Sequence, residues 1–140
     1  MIKAETIFAN KIIISGVEQS KLQDFVEFMI EFTWVNSKLP GNARFVKEAE
    51  HPTLDKLPKN FSIKETAERA IKRSALVLES IGPVYLGLSA RIVRGELGTN
   101  PMTKIDIDKF LFERDGRDRD LKKFVMKMLT AWNEKQKPAT

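Results

Sequence analysis

Few residues in this chain could carry out covalent or acid–base chemistry, and their spacing fits no catalytic template. There is no cysteine among the 140 residues. That removes thiol nucleophiles, disulfides and thiolate metal sites, and it agrees with a reducing compartment. The single histidine, His51, precedes Pro52 in a stretch without periodicity. One histidine cannot build a two-histidine zinc site, and no serine, histidine and aspartate follow the order of a triad. Neither G-x-x-x-x-G-K-[ST] nor G-x-G-x-x-G is present, so no phosphate cradle is recognisable. Asp106 and Asp108 stand two apart, ahead of Phe110-Leu111-Phe112. Paired carboxylates can hold a metal or act as acid and base. At a helix start they serve more simply as cap and dipole partners, and that is the reading adopted. The run at 113–120 alternates in sign and reads as a solvated turn with local ion pairs, each worth little. The sequence therefore predicts no catalytic residue, no metal and no cofactor.

What remains is binding. A helix over about 20–35 carries Leu22, Phe25, Val26, Met29 and Phe32 at the i, i+3, i+4, i+7 spacing of one face. Phe28, Ile30, Trp34 and Val35 lie off that stripe, so the helix is apolar nearly all round. A small layered domain covers one face of a helix rather than every face. Either this helix is central and buried by the others, or part of its surface is a groove for a partner segment. On the second reading Phe25, Phe28, Met29, Phe32 and Trp34 are the partner contacts. Methionine and aromatic side chains suit that role because they adapt their packing to partners of varied sequence.

The elements that would position this helix follow from period and punctuation. Residues 2–15 read as strand, turn, strand: Ile12-Ile13-Ile14 is β-branched, and Ala9-Asn10 separates it from Ile7-Phe8. Ser15 with Glu18, or Ser20 with Gln23, could box the start of the first helix. Residues 36–60 contain Pro40, Gly41, Pro52 and Pro58 and read as a long loop with one short turn around 43–49. Phe61-Ser62-Ile63-Lys64-Glu65 is a helix start with Ser62 as cap, and that helix is expected to reach about residue 80. Gly82-Pro83 stops it. Further helices are expected at 83–97, 105–114 and 118–133. In the last, Leu121, Phe124, Val125, Met128, Leu129 and Trp132 recur at helical spacing. The expected fold is mostly α: an N-terminal β-hairpin followed by a bundle of about four to five helices. It forms one domain over 1–140, divided into hairpin 1–16, apolar helix 17–36, loop 37–60, helical bundle 61–134 and tail 135–140.

The formal net charge is +5, from 24 Lys and Arg against 19 Asp and Glu, with a pI near 9.5. A basic balance raises the expectation of nucleic acid or acidic partners, but the acids dilute it. No stretch approaches the roughly 18 to 20 apolar residues of a membrane span, and the start of the chain lacks the apolar run of a secretory signal, so the protein is expected to stay in the cell that makes it, away from membrane.

The N-terminal stretch resembles a known family. Lys3, Glu5 and Asn10, then the strand Ile12-Ile13-Ile14, then Glu18, Ser20, Leu22 and Gln23 running into an apolar helix, resemble the opening of the lambda-type phage tail assembly chaperones, the minor tail protein G family. The match covers about 30 residues, and the helix start at Phe61-Ser62 is a second, weaker anchor. Where the family pattern has Gly after the turn Asn, this chain has Lys11. The resemblance implies a non-enzymatic protein of the host cytoplasm that binds the tape measure protein and helps recruit tail tube protein. It leaves self-association open. Two alternatives stand beside it. One is a basic helical viral DNA-binding or coat protein. The other is a helix-hairpin-helix DNA-binding protein, read from Ser80-Ile81-Gly82-Pro83-Val84 between two expected helices.

Overall fold

The structure, a computed structural model, describes residues 2–8, 11–36, 53–81, 84–94, 102–110 and 118–136. Strands β1 (Lys3–Phe8) and β2 (Lys11–Glu18) lead through a 3-10 turn at Gln19–Lys21 into α1 (Leu22–Val35). A 3-10 turn at Leu54–Lys56 precedes α2 (Ile63–Arg73). Three strands follow, β3 (Ala75–Ile81), β4 (Val84–Arg94) and β5 (Met102–Phe110), and then α3 (Asp118–Gln136). All five strands form one sheet in the order β1-β2-β5-β4-β3, and every neighbouring pair is antiparallel.

This corrects the expected mostly α fold. Half of the molecule's framework is an antiparallel sheet, and the chain is α plus β rather than all-α. The hairpin at the N-terminus is present as β1 and β2, but it is the margin of the sheet and not an appendage on a bundle. The expected helix at 61–80 ends at Arg73, and its last third is β3. The expected helices at 83–97 and 105–114 are β4 and β5. The physical reason is period. In β3 Leu76, Leu78 and Ile81 are buried while Ala75, Val77, Glu79 and Ser80 are exposed. In β4 Leu86, Leu88, Ala90 and Ile92 are buried, two residues apart, and in β5 Ile105 and Ile107 repeat the pattern. Alternation of this kind lines one face of a strand, whereas a helix needs spacings of three and four. With β3 and β4 on either side of Gly82-Pro83, the helix-hairpin-helix reading loses its two helices, and the coat-protein reading loses its all-helical premise.

Local chemistry explains the boundaries. Ser62 caps α2, its Oγ accepting from the Glu65 N–H at 3.2 Å. Ser74 ends it in the left-handed region (φ 60°, ψ 28°), with its N–H turned back to the carbonyls of Ala70 and Ile71. The chain thus reverses from helix to strand within one residue. Neither capping box proposed for α1 forms, because the 3-10 turn feeds directly into Leu22 and no side chain caps the helix. In β2 the pairing with β5 slips between Ile14 and Val17, with Gly16 at φ 87°. This bulge takes up one extra residue, so Ile14 and Val17 both face inward although they are three apart.

The helices cover one face of the sheet. Phe25, Val26, Met29 and Ile30 of α1, Ala67 and Ala70 of α2, and Val125, Met128, Leu129 and Trp132 of α3 join the buried strand residues in one apolar core. α2 packs on α1 and β3, and α3 packs on α1, β1 and β2. Residues 37–52 and 111–117, including the expected turn at 43–49, His51 and the charged turn at Asp115-Gly116, lie outside the described residues. So do Ala9-Asn10, Gly82-Pro83 and the tail at 137–140.

Candidate functional site

The aromatic residues of α1 divide between two environments. Phe25, Met29 and Trp34 are fully inside the core. The Trp34 indole N–H donates to the Thr53 carbonyl at 2.8 Å, tying the 53–56 turn to the end of the helix. Phe28 and Phe32 point toward α3 and are only partly buried. Phe25 meets Trp132 edge-on at 5.0 Å, Phe28 lies 5.4 Å from Trp132 and 5.8 Å from Phe32, and Phe32 lies 5.3 Å from the partly buried Phe124. These separations are those of favourable offset and edge-to-face pairs. The Lys135 ammonium sits 5.6 Å above the Phe28 ring, within cation–π range. The result is a seam of ring edges along the junction of α1 and α3, rooted in the core by Phe25 and Trp132. Of the five residues expected to touch a partner, the structure gathers Phe28 and Phe32 on this seam and spends Phe25, Met29 and Trp34 on the core.

A second surface comes from the residues read as helical. The sheet face opposite the helices carries Val77, Val93, Arg91 and Lys104, all exposed, with Ile13 and Ser89 partly so. Val77 pairs with Ser89, and Val93 with Lys104. Asp106 and Asp108 sit on β5, not at a helix start, so their expected capping role falls away. Asp106 stands in register between Arg91 of β4 and Ile13 of β2. An I-D-I-D alternation was the signal for this strand.

The basic side chains are spread rather than gathered. α3 exposes Lys122, Lys123, Lys127 and Lys135, and α2 exposes Lys64, Arg69, Lys72 and Arg73 among Glu65 and Glu68. α1 adds the acidic Asp24, Glu27 and Glu31, with the Gln23 side chain donating to Glu27 at 3.1 Å and to the Lys64 carbonyl at 3.3 Å. The Asp55 carboxyl is held below its ordinary value, first by a hydrogen bond from the Thr53 hydroxyl. It belongs to the exposed turn at 53–56 and to neither surface. Among the described residues no three Asp, Glu or His are placed to hold a metal ion, and no helix is long and apolar enough to cross a membrane. No family model matches the chain, and neither a curated protein nor a solved structure is similar to it.

Proposed function

We infer that the chain is a non-enzymatic binding protein of the host cytoplasm, a phage tail assembly chaperone that holds the tape measure protein and helps recruit tail tube protein. The observation that carries this reading is the α1–α3 seam, where the partly buried Phe28, Phe32 and Phe124 stand in a row of ring contacts with one another and with Trp132. Aromatic side chains in a row accept the apolar face of a helix without demanding one sequence. The N-terminal resemblance, carried by Lys3, Glu5, Asn10, Glu18, Ser20, Leu22 and Gln23, supplies the identity of the partners.

The test is a pull-down of the tagged chain from its native lysate, with and without nuclease. The expected capture is a long helical protein and tail tube subunits that survive nuclease, lost in a Phe28→Ala, Phe32→Ala double variant whose circular dichroism matches the parent. Recovery of nuclease-sensitive nucleic acid alone would sink the chaperone reading. It would favour the second one, nucleic-acid binding, for which the exposed lysines of α3 are the specific observation. The signature of that reading is affinity that falls steeply with salt.

A further inference from the structure

Strand β3 ends the sheet on the side away from β1, and its sequence lacks the usual protection of an edge. Natural edges are blunted by lysine, proline or inward charge. β3 reads Ala-Leu-Val-Leu-Glu-Ser-Ile, with Glu79 as its one charge and no proline. Its pairing with β4 is regular from Ala75 to Leu78 and shifts only before Ser80.

The direction of its free backbone groups can be derived. The Ile92 N–H donates to the Ser74 carbonyl at 3.0 Å, and Ser74 and Ile92 continue the register of Ala75 with Arg91. Hydrogen-bonded and non-hydrogen-bonded pairs alternate in an antiparallel ladder. Leu76 with Ala90, and Leu78 with Leu88, are therefore the bonded pairs. Ala75 and Val77 turn their N–H and C=O groups away from β4. Among the described residues no strand lies on that side. Val77, at 60% exposure, is the most exposed of the large apolar residues described.

We propose that this edge is a homodimer interface. The β3 strand of a second copy pairs antiparallel with it about a two-fold axis through Val77, so that the two sheets run into one. A two-fold axis normal to the sheet keeps the faces in order: the helix-covered side of one copy continues as the helix-covered side of the other. The register follows from the backbone. Val77 faces its own counterpart as a hydrogen-bonded pair, the arrangement its outward N–H and C=O require. Leu76 then faces the second copy's Leu78 on the covered side, and Ala75 faces its Glu79. No like charges stand opposite one another. On the open side the pair at the axis is β-branched, a favourable cross-strand combination. This self-complementary register, with the exposed valine on its own counterpart and no like charges opposed, is what selects a second copy over an unrelated peptide. The proposal is independent of the tail-chaperone reading.

The experiment is sedimentation equilibrium of the full chain over the micromolar range, alone and as V77P and V77K. Proline at position 77 removes an N–H that turns away from β4 and bonds no strand among the described residues, a tolerated placement on an edge. Lysine places two like charges across the axis, and it keeps the test intact should V77P fail to fold. The parent is expected at twice the chain mass and V77K at the chain mass, with unchanged circular dichroism. The Val77 amide should exchange slowly in the dimer and quickly on dilution. A parent that stays monomeric, a V77K variant that dimerises as the parent does, or a fast-exchanging Val77 amide within the dimer would overturn it. A monomeric parent whose Val77 amide becomes protected only with another protein would assign the edge to that protein instead.

Discussion

Trp34 illustrates how the same side chain can look like a binding residue and act as a structural one. It lies off the main apolar stripe of α1, yet it is 2% exposed and its indole N–H is committed to the Thr53 carbonyl. Its position is explained by the 53–56 turn, which packs on the end of the helix. Removing the ring leaves a cavity and takes from the Thr53 carbonyl one of its two donors, the other being the Lys56 N–H at 3.0 Å. Trp34→Ala should therefore cost about 3–5 kcal/mol, and Trp34→Phe, which keeps most of the apolar volume, about 1–2 kcal/mol. Urea denaturation measures both. A Trp34→Ala variant as stable as the parent would show that the ring is free to meet a partner. The partly buried Phe28 and Phe32 are the better probes of binding, because their truncation removes surface before it removes core.

At the scale of elements, Ser74 decides where helix becomes strand. It is the described non-glycine residue with positive φ, and the left-handed region costs a residue with a Cβ roughly 1–2 kcal/mol. Ser74→Gly should relieve that strain and, after the entropy lost by glycine, stabilise the protein by about 0.5–1 kcal/mol. A rise in the denaturation midpoint checks it, and an unchanged or lower midpoint would contradict it. The same residue explains why the helix was expected to continue. No glycine or proline marks its end, and Ile71, Ser74 and Leu78 still fit a helical spacing. The elements legible in the sequence were those with an unambiguous period: the β-branched run of β2, the stripe of α1 and the long stripe of α3. The elements not legible are β3, β4 and β5, short apolar runs that read as helix although Leu86, Leu88, Ala90 and Ile92, and again Ile105 and Ile107, repeat every second residue. Because three strands were hidden in this way, the open sheet face and the β3 edge were invisible, and only the part of the site on α1 could be anticipated. Even there, the sequence could not tell Phe28 and Phe32, at the rim, from Phe25 and Met29, beneath it.

For the whole molecule, the decisive contact is the ladder between β2 and β5. It joins the N-terminal hairpin to the β3–β4–β5 meander across most of the chain's length, and it sets Ile14 opposite Ile105. Both side chains are fully buried, in the same core that holds Trp34 and Trp132. The two ends of the chain therefore cannot melt separately without exposing that core. Ile105→Ala should lower stability by about 2–5 kcal/mol, and Ile14→Ala by a similar amount. The loss should be read at the same denaturant concentration by tryptophan fluorescence and by far-ultraviolet circular dichroism, since both tryptophans are buried in that one core. Because the two isoleucines touch across one ladder, the double variant should lose less than the sum of the singles. If instead fluorescence were lost while the strand signal persisted, the helical layer and the sheet would be separate units. The β2–β5 seam would then hold only the sheet.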